Sequence, residues 1–187
     1  MISKYYKEAW EYVKESQKYI YFVILLFVLF GVLGAVFSEQ LTFIDEILKE
    51  LLEKTEGLST MGLVSFIFFN NIQSAFMGLL IGVVFGIFPV LVAITNGVVL
   101  GYVLQRTAEV AGVLQFWRLL PHGIFELPAI FISLGLGIKL GMFVFAKKKL
   151  EELKKRVYNS LMVFFLIVLP LLIVAAIIEG LLIGLFK

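Results

Sequence analysis

The sequence predicts an all-α protein, a polytopic transmembrane helix bundle of about five spans. Of its 187 residues 61% are hydrophobic and only 16% charged, with a mean hydropathy of +1.02, whereas soluble domains carry about 25% charged residues. The apolar residues also form blocks close to the ~20 residues that a helix needs to cross roughly 30 Å of hydrocarbon. We therefore expect one integral membrane domain over residues 1–187, with the lipid bilayer as its main surroundings.

Charge and residue usage exclude several classes of function. The net charge is +2 and no basic cluster is interleaved with aromatic residues, so we expect no nucleic-acid binding. The absence of Cys removes disulfide frameworks, thiolate metal sites and Cys nucleophiles. The sequence also lacks the patterns of a Ser-His-Asp hydrolase, a phosphate-binding glycine loop and a zinc protease. These observations predict that the protein is not an enzyme.

Three charged segments indicate the orientation of the chain. Residues 1–18 mix lysines and glutamates with Tyr and Trp side chains, which predicts an amphipathic helix in the headgroup region. Residues 38–60 are acidic, with leucines at helical spacing, and predict a second amphipathic helix on the extracytoplasmic side. Six basic residues between Lys147 and Arg156 place that segment in the cytoplasm by the positive-inside rule. We expect a multi-pass protein of the cell membrane with its N-terminus in the cytoplasm.

This orientation sets the number of spans. The span that ends at the cytoplasmic basic segment must start outside, and the acidic segment before residue 61 is also outside. Residues 61–104 must therefore cross the membrane an even number of times, with a turn near Gly86 to Pro89. A re-entrant hairpin over residues 61–86 would satisfy the same parity. The C-terminus is then outside. The expected spans are residues 19–37, 61–85, 88–104, 122–146 and 161–186.

Small residues recur every four positions in two of these spans. One row runs from Ser74 through Gly78 and Gly82 to Gly86, and the other contains Ser133, Gly137 and Gly141. Such rows let helix backbones approach closely in lipid. The spacing fits packing inside one chain as well as packing between chains, and because there are two rows the sequence predicts a homodimer.

Polar side chains at membrane depth are the candidates for function. A charge at the bilayer centre costs about 2.5 to 3.5 kcal/mol on insertion scales, so polar groups tend to face other protein groups. Lys139 lies close enough to the basic segment to extend its amine toward the membrane surface. The remaining residues form a candidate polar or ion site in the outer half of the membrane: Asn70, Asn71, Gln73, Asn96, Arg118, His122, Glu126 and Glu179.

His122 and Glu126 are four residues apart, so on a helix they share one face. They suit a proton relay or two ligands of a divalent metal ion. A structural role is the alternative, because Pro121 suits the first turn of a helix and a carboxylate is favoured near a helix N-terminus. Two ligands do not complete a metal site. A third would come from Glu179, an amide oxygen or a second chain, whereas Arg118 is an alternative partner for Glu126.

These residues also resemble a known family. The order Asn70-Asn71, Gly78, Gly82, Asn96-Gly97, Gly101, Pro121-His122-Gly123-x-x-Glu126 and a continuation through Gly135, Gly137 and Gly141 resembles the stage II sporulation protein M family over roughly residues 60–145. The resemblance implies a multi-helix membrane protein, and its sporulation member is a scaffold of a complex with peptidoglycan-degrading enzymes. It therefore implies a membrane or cell-envelope protein partner. A composition low in Cys, Asn and Gln is typical of thermophiles and indicates a thermophilic or archaeal relative.

Two functions follow from these observations. The first is a non-enzymatic scaffold or assembly partner with a buried Asn/His/Glu site. The alternative is a small transporter or channel-like protein that handles a divalent cation or a proton through a polar cavity. The discriminating observation is whether the polar side chains surround an open space or close on one another.

Overall fold

The computed structural model describes residues 2–113 and 120–185, apart from the side chains of residues 2, 120–122, 180 and 182–185. The described chain is helical, with short turns and no strand. Its helices are α1 Ile2–Glu15, α2 Gln17–Val36, α3 Phe43–Thr55, α4 Thr60–Leu80, α5 Ile87–Ala111, α6 Leu120–Gly141, α7 Lys149–Val163 and α8 Leu169–Leu185.

Five helical runs are long and apolar enough to cross a membrane. They are Gln17–Val36, Thr60–Val83, Ile87–Ala111, Gly123–Phe145 and Lys149–Glu179. The predicted fold class is confirmed: the protein is an all-α, multi-pass membrane bundle of five spans. Both helices between residues 60 and 111 have the length of a complete span, which favours two crossings over a re-entrant hairpin.

The two predicted amphipathic helices are present. In α1 the side chains of Ala9, Tyr12 and Val13 are buried against α7, whereas Trp10 is 52% exposed. In α3 only Ile44 is buried, and the acidic side chains are exposed. Each helix therefore has one face on the bundle and one face available to headgroups or water.

The two predicted rows of small residues lie against each other within one chain. A Cβ atom added to Gly82 would collide with the backbone of Gly137, and one added to Gly137 would lie 2.5 Å from the carbonyl oxygen of Gly78. A Cβ atom on Gly141 would meet the backbone of Gly86. Helices α4 and α6 therefore touch backbone to backbone, which only small residues allow.

A second glycine contact joins α2 to α5. A Cβ atom on Gly101 would collide with the carbonyl oxygen of Gly31, and one on Gly34 would collide with the backbone of Val98. A Cβ atom on Gly97 would lie 2.5 Å from the carbonyl oxygen of Phe27. The spacing of glycines in the sequence does not by itself pair Gly31 and Gly34 with α5.

The turn between α4 and α5 lies slightly earlier than predicted. Phe85 and Gly86 have positive φ values of 54° and 69°, and α5 begins at Ile87. Pro89 therefore lies in the first turn of α5, where backbone N–H groups have no partner within the helix and a missing one costs nothing. Gly86 also packs against the backbone of Ile138, which leaves little room for a side chain.

The basic segment is mostly helical rather than a loop. Helix α7 starts at Lys149, with Glu151 and Glu152 in its first turn, where the helix dipole favours carboxylates. Arg156 donates to Glu152 Oε2 at 3.1 Å and to the carbonyl oxygen of Lys139 at 2.6 Å. These interactions extend the last helix well before the predicted start at residue 161.

Contacts at the two ends of the bundle define its relative sides. Lys139 Nζ donates to Ser16 Oγ at 3.0 Å, lies 3.5 Å from Glu15 Oε2 and sits 3.6 Å from the centre of the Tyr12 ring. Burial raises the pKa of Tyr12 to about 12, so its hydroxyl stays neutral beside these charges. Helix α1 and the basic segment thus share one end of the bundle.

The acidic helix α3 lies at the other end. The Tyr102 hydroxyl donates to Asp45 Oδ1 at 2.6 Å, and Tyr102 lies 15 residues, or about 22 Å, along α5 from its start beside Ile138. This arrangement matches the parity on which the topology was predicted. Which end faces the cytoplasm stays a prediction.

Impermeant labelling tests that prediction in this Cys-free chain. Glu50 and Lys154 are both exposed, one at each end of the bundle. In intact cells a membrane-impermeant thiol reagent should label Glu50→Cys, and it should label Lys154→Cys only after permeabilisation. The opposite pattern would reverse the orientation.

The glycine contact between α2 and α5 predicts a strong effect of one methyl group. Gly101→Ala should lower the free energy of unfolding by about 1 to 3 kcal/mol, because the added Cβ overpacks a backbone contact. Gly123→Ala is the control, since its Cβ would meet only Leu127 at 3.7 Å. Thermal melting in detergent compares the two variants, and equal melting temperatures would contradict this helix contact.

Candidate polar cavity

A cavity of about 730 Å³ lies among the spans, bounded by α2, α4, α5, α6 and α8. This volume is in the range of small-molecule sites in proteins. Most of its wall is apolar and includes Phe27, Leu100 and Ile130. Its polar lining comes from four helices and consists of Asn70, Asn71, Ser74, Asn96, Glu126 and Glu179.

Five of the predicted site residues therefore line one space: Asn70, Asn71, Asn96, Glu126 and Glu179. Gln73 is exposed and is not part of this lining. The backbone of His122 belongs to α6, but its side chain lies outside the described residues, as does all of Arg118. The predicted pairing of His122 with Glu126 stays a prediction.

The α4 wall is held by contacts with α6. Asn71 is only 8% exposed, and Asn70 Nδ2 lies 3.5 Å from Asn71 Oδ1, at the outer limit of a hydrogen bond. One turn further on, the carbonyl oxygen of Ala75 accepts a 2.7 Å hydrogen bond from the buried Ser133 hydroxyl. Because α4 is fixed to α6 in this way, the two asparagines keep a defined position in the wall.

Pro128 adds a feature that the sequence analysis missed. It lies inside α6 and has no N–H, so the carbonyl oxygen of Ile124 lacks its usual donor four residues later. Ile124 and Glu126 belong to the cavity lining on the same turn. Membrane proteins use such carbonyl groups as ligands where the backbone lines a cavity. A proline in the middle of an apolar span is the feature of the sequence that could have predicted this free carbonyl oxygen.

The lining favours a positively charged or donor-rich occupant. Its described residues include two carboxylates, Glu126 and Glu179, and three amides, but no Lys or Arg. Amides accept as well as donate, whereas ionised carboxylates only accept. Among the residues that the structure describes, no group of three or more Asp, Glu or His side chains is placed to hold a metal ion. A divalent metal site would therefore need amide or backbone oxygens, the His122 side chain or groups outside that description.

A smaller polar cluster ties α3 to α5. Arg106 Nε donates to the Tyr102 hydroxyl at 3.3 Å and Arg106 Nη1 to Glu109 Oε2 at 3.1 Å, beside a pocket of about 320 Å³. Tyr102 is completely buried and donates to Asp45, which is 57 residues away in the chain. No local pattern predicts such a distant partner, so the sequence analysis missed this cluster.

Fold and cavity together define a polytopic α-helical membrane protein with a polar-lined space among its spans. The family model for Stage II sporulation protein M matches residues 23–182, and the chain belongs to that family. The predicted family is confirmed, and the match extends beyond residues 60–145 to the first and last spans. No curated protein gives a significant match to the chain, and no solved structure does.

The cavity predicts unequal effects of two substitutions on one turn of α6. Glu126→Gln should lower the free energy of unfolding by about 1 to 3 kcal/mol, because changing one member of a polar set leaves the other members unsatisfied. Ile124→Val should change stability little, since Ile124 is 64% exposed. Thermal melting of both variants in detergent provides the measurement.

The same melting experiment, repeated with divalent ions, tests whether the site binds a metal. If His122 and Glu126 hold a metal ion, divalent cations should raise the melting temperature of the wild type but not that of His122→Ala or Glu126→Gln. If their role is structural, these ions should protect none of the three proteins. If both variants melt at the same temperature as the wild type, the two residues do not form a coupled site.

Proposed function

We propose that this protein is a non-enzymatic membrane scaffold or assembly partner that holds a polar group of its partner in the cavity. The observation that carries the proposal is a pair of direct backbone contacts between helices, with the polar cavity between the two helix pairs. Helices α2 and α5, and likewise α4 and α6, touch backbone to backbone. Sliding either pair would break contacts for which lipid offers no replacement, so the cavity wall is suited to holding a group in place.

The chemistry of the lining supports binding rather than catalysis. Amides and carboxylates bind a partner through hydrogen bonds and charge, and they need no covalent step. The resemblance to the sporulation scaffold points to a membrane or cell-envelope protein as partner. In this proposal His122 belongs to the polar site together with Asn70, Asn71, Asn96 and Glu126, in the outer half of the membrane.

A transporter or channel-like protein is the second candidate. The observation in its favour is that the polar side chains surround a space of about 730 Å³ instead of closing on one another. A passing cation or proton would use Glu126 and Glu179 as successive acceptors. This function requires the cavity to open to both sides of the membrane.

The two rows of small residues no longer support the predicted homodimer. Both rows of small residues are used for contact between α4 and α6 within one chain. A dimer would therefore need a different surface.

Reconstitution separates the two proposed functions. Liposomes containing the purified protein should show no more proton or divalent-cation flux than protein-free liposomes. Flux that Glu126→Gln abolishes and Ile124→Val preserves would favour the transporter and contradict the scaffold.

Cross-linking in native membranes tests the scaffold directly. A photoreactive side chain at Val103, which lines the cavity, should cross-link one protein of defined mass, and Glu126→Gln should abolish that product. The matched control carries the same photoreactive group at Leu25, which is 64% exposed on α2. Equal products from both positions would contradict recognition in the cavity.

A further inference from the structure

Gln73 occupies an unusual position for an amide. It lies in the span Thr60–Val83, 13 residues from one end and 10 from the other. At 1.5 Å per residue these separations are about 20 and 15 Å, so Gln73 is near the middle of the membrane. Its side chain is too short to reach either surface.

The side chain also points away from the bundle. Asn71, Ala75 and Gly78 mark the buried side of α4, and a rotation of about 100° per residue puts Gln73 almost opposite their centre. Its neighbours on this outer face are Phe69, 66% exposed, and Met77, 42% exposed. Within residues 2–113 and 120–185, no described group makes a hydrogen bond to the Gln73 side chain.

An exposed amide at this depth needs a hydrogen-bonding partner. Lipid tails offer neither donor nor acceptor, so leaving the amide against them costs free energy. In membrane proteins, Gln and Asn side chains usually recover this cost by hydrogen bonding to another helix. The partner helix must present a polar group at the same depth.

We propose that the outer face of α4 is a homodimer interface in which Gln73 of one chain pairs with Gln73 of a second copy. An amide has both a donor and an acceptor, so two identical amides across a twofold axis satisfy each other reciprocally. The twofold axis also guarantees matching depth, which an unrelated helix would have to supply by chance. Phe69 and Met77 flank the pair and supply the apolar contact around it.

This interface is independent of the proposed function and of the glycine contacts. It uses the surface of α4 around Phe69, Gln73 and Met77, which are exposed among the described residues, and it leaves the α4 and α6 contact unchanged. The polar cavity begins beside this face, at Asn70 and Ser74, which lie about 60° and 100° around α4 from Gln73. Because Gln73 is not part of the cavity lining, Gln73→Leu tests the dimer without removing a polar group from the cavity.

Cysteine cross-linking in native membranes tests the proposal. Met77→Cys keeps the Gln73 pair and lies one turn away on the same exposed face, so in this Cys-free chain it should form a disulfide-linked dimer under mild oxidation. Leu25→Cys is the matched control, because Leu25 is 64% exposed near the middle of α2. We expect most of the first variant and almost none of the second to migrate with twice the mass of the chain.

A mass measurement in mild detergent gives an independent result. The wild type should be a dimer, and Gln73→Leu should raise the dissociation constant at least tenfold while melting as a folded protein. Equal cross-linking of the two cysteine variants would overturn the proposal. So would a Met77→Cys product of another mass, or a Gln73→Leu protein that stays as dimeric as the wild type.

Discussion

Helices in a bilayer gain nothing by hiding apolar side chains from one another, because the surrounding lipid tails are equally apolar. Close contact between backbones supplies the missing attraction, and this fold obtains it where Gly31 and Gly34 meet α5 and where Gly82 meets Gly137. The first contact fixes α2 to α5 and the second fixes α4 to α6. Helices α4 and α5 make few contacts with each other, and the polar cavity lies between the two pairs.

The sequence was sufficient for the features that depend on composition and on short spacings. Long apolar blocks predicted the spans, and charged segments predicted the two amphipathic helices. The basic segment from Lys149 was not predicted as helix, because its charges resemble those of a loop. Its helical state depends on Arg156 reaching the carbonyl oxygen of Lys139 and on burial against α1.

The candidate site was predictable only in part, for a physical reason. Polar groups are costly in lipid, so their presence identified Asn70, Asn71, Asn96, Glu126 and Glu179 without knowledge of the fold. Sequence alone could not separate Gln73, which points the other way, because a one-residue error in helix phase moves a side chain by about 100°. It also could not pair Tyr102 with Asp45, since that contact depends on how α3 returns to the bundle.

The last helical run contains a π-helical segment at Phe164–Val168, just before Pro170. Ser160, Phe164, Val168 and Leu172 are all at most 1% exposed, although they follow one another at steps of four. In an uninterrupted α-helix three such steps would drift by about 120° around the axis, whereas the extra residue of a π turn compensates for about 100°. The segment thus offsets the rotation of the buried face around the helix axis. It allows one long helix to keep its buried face toward α1 at one end and toward α4 and α6 at the other, and it determines that Glu179 arrives on the cavity side of α8.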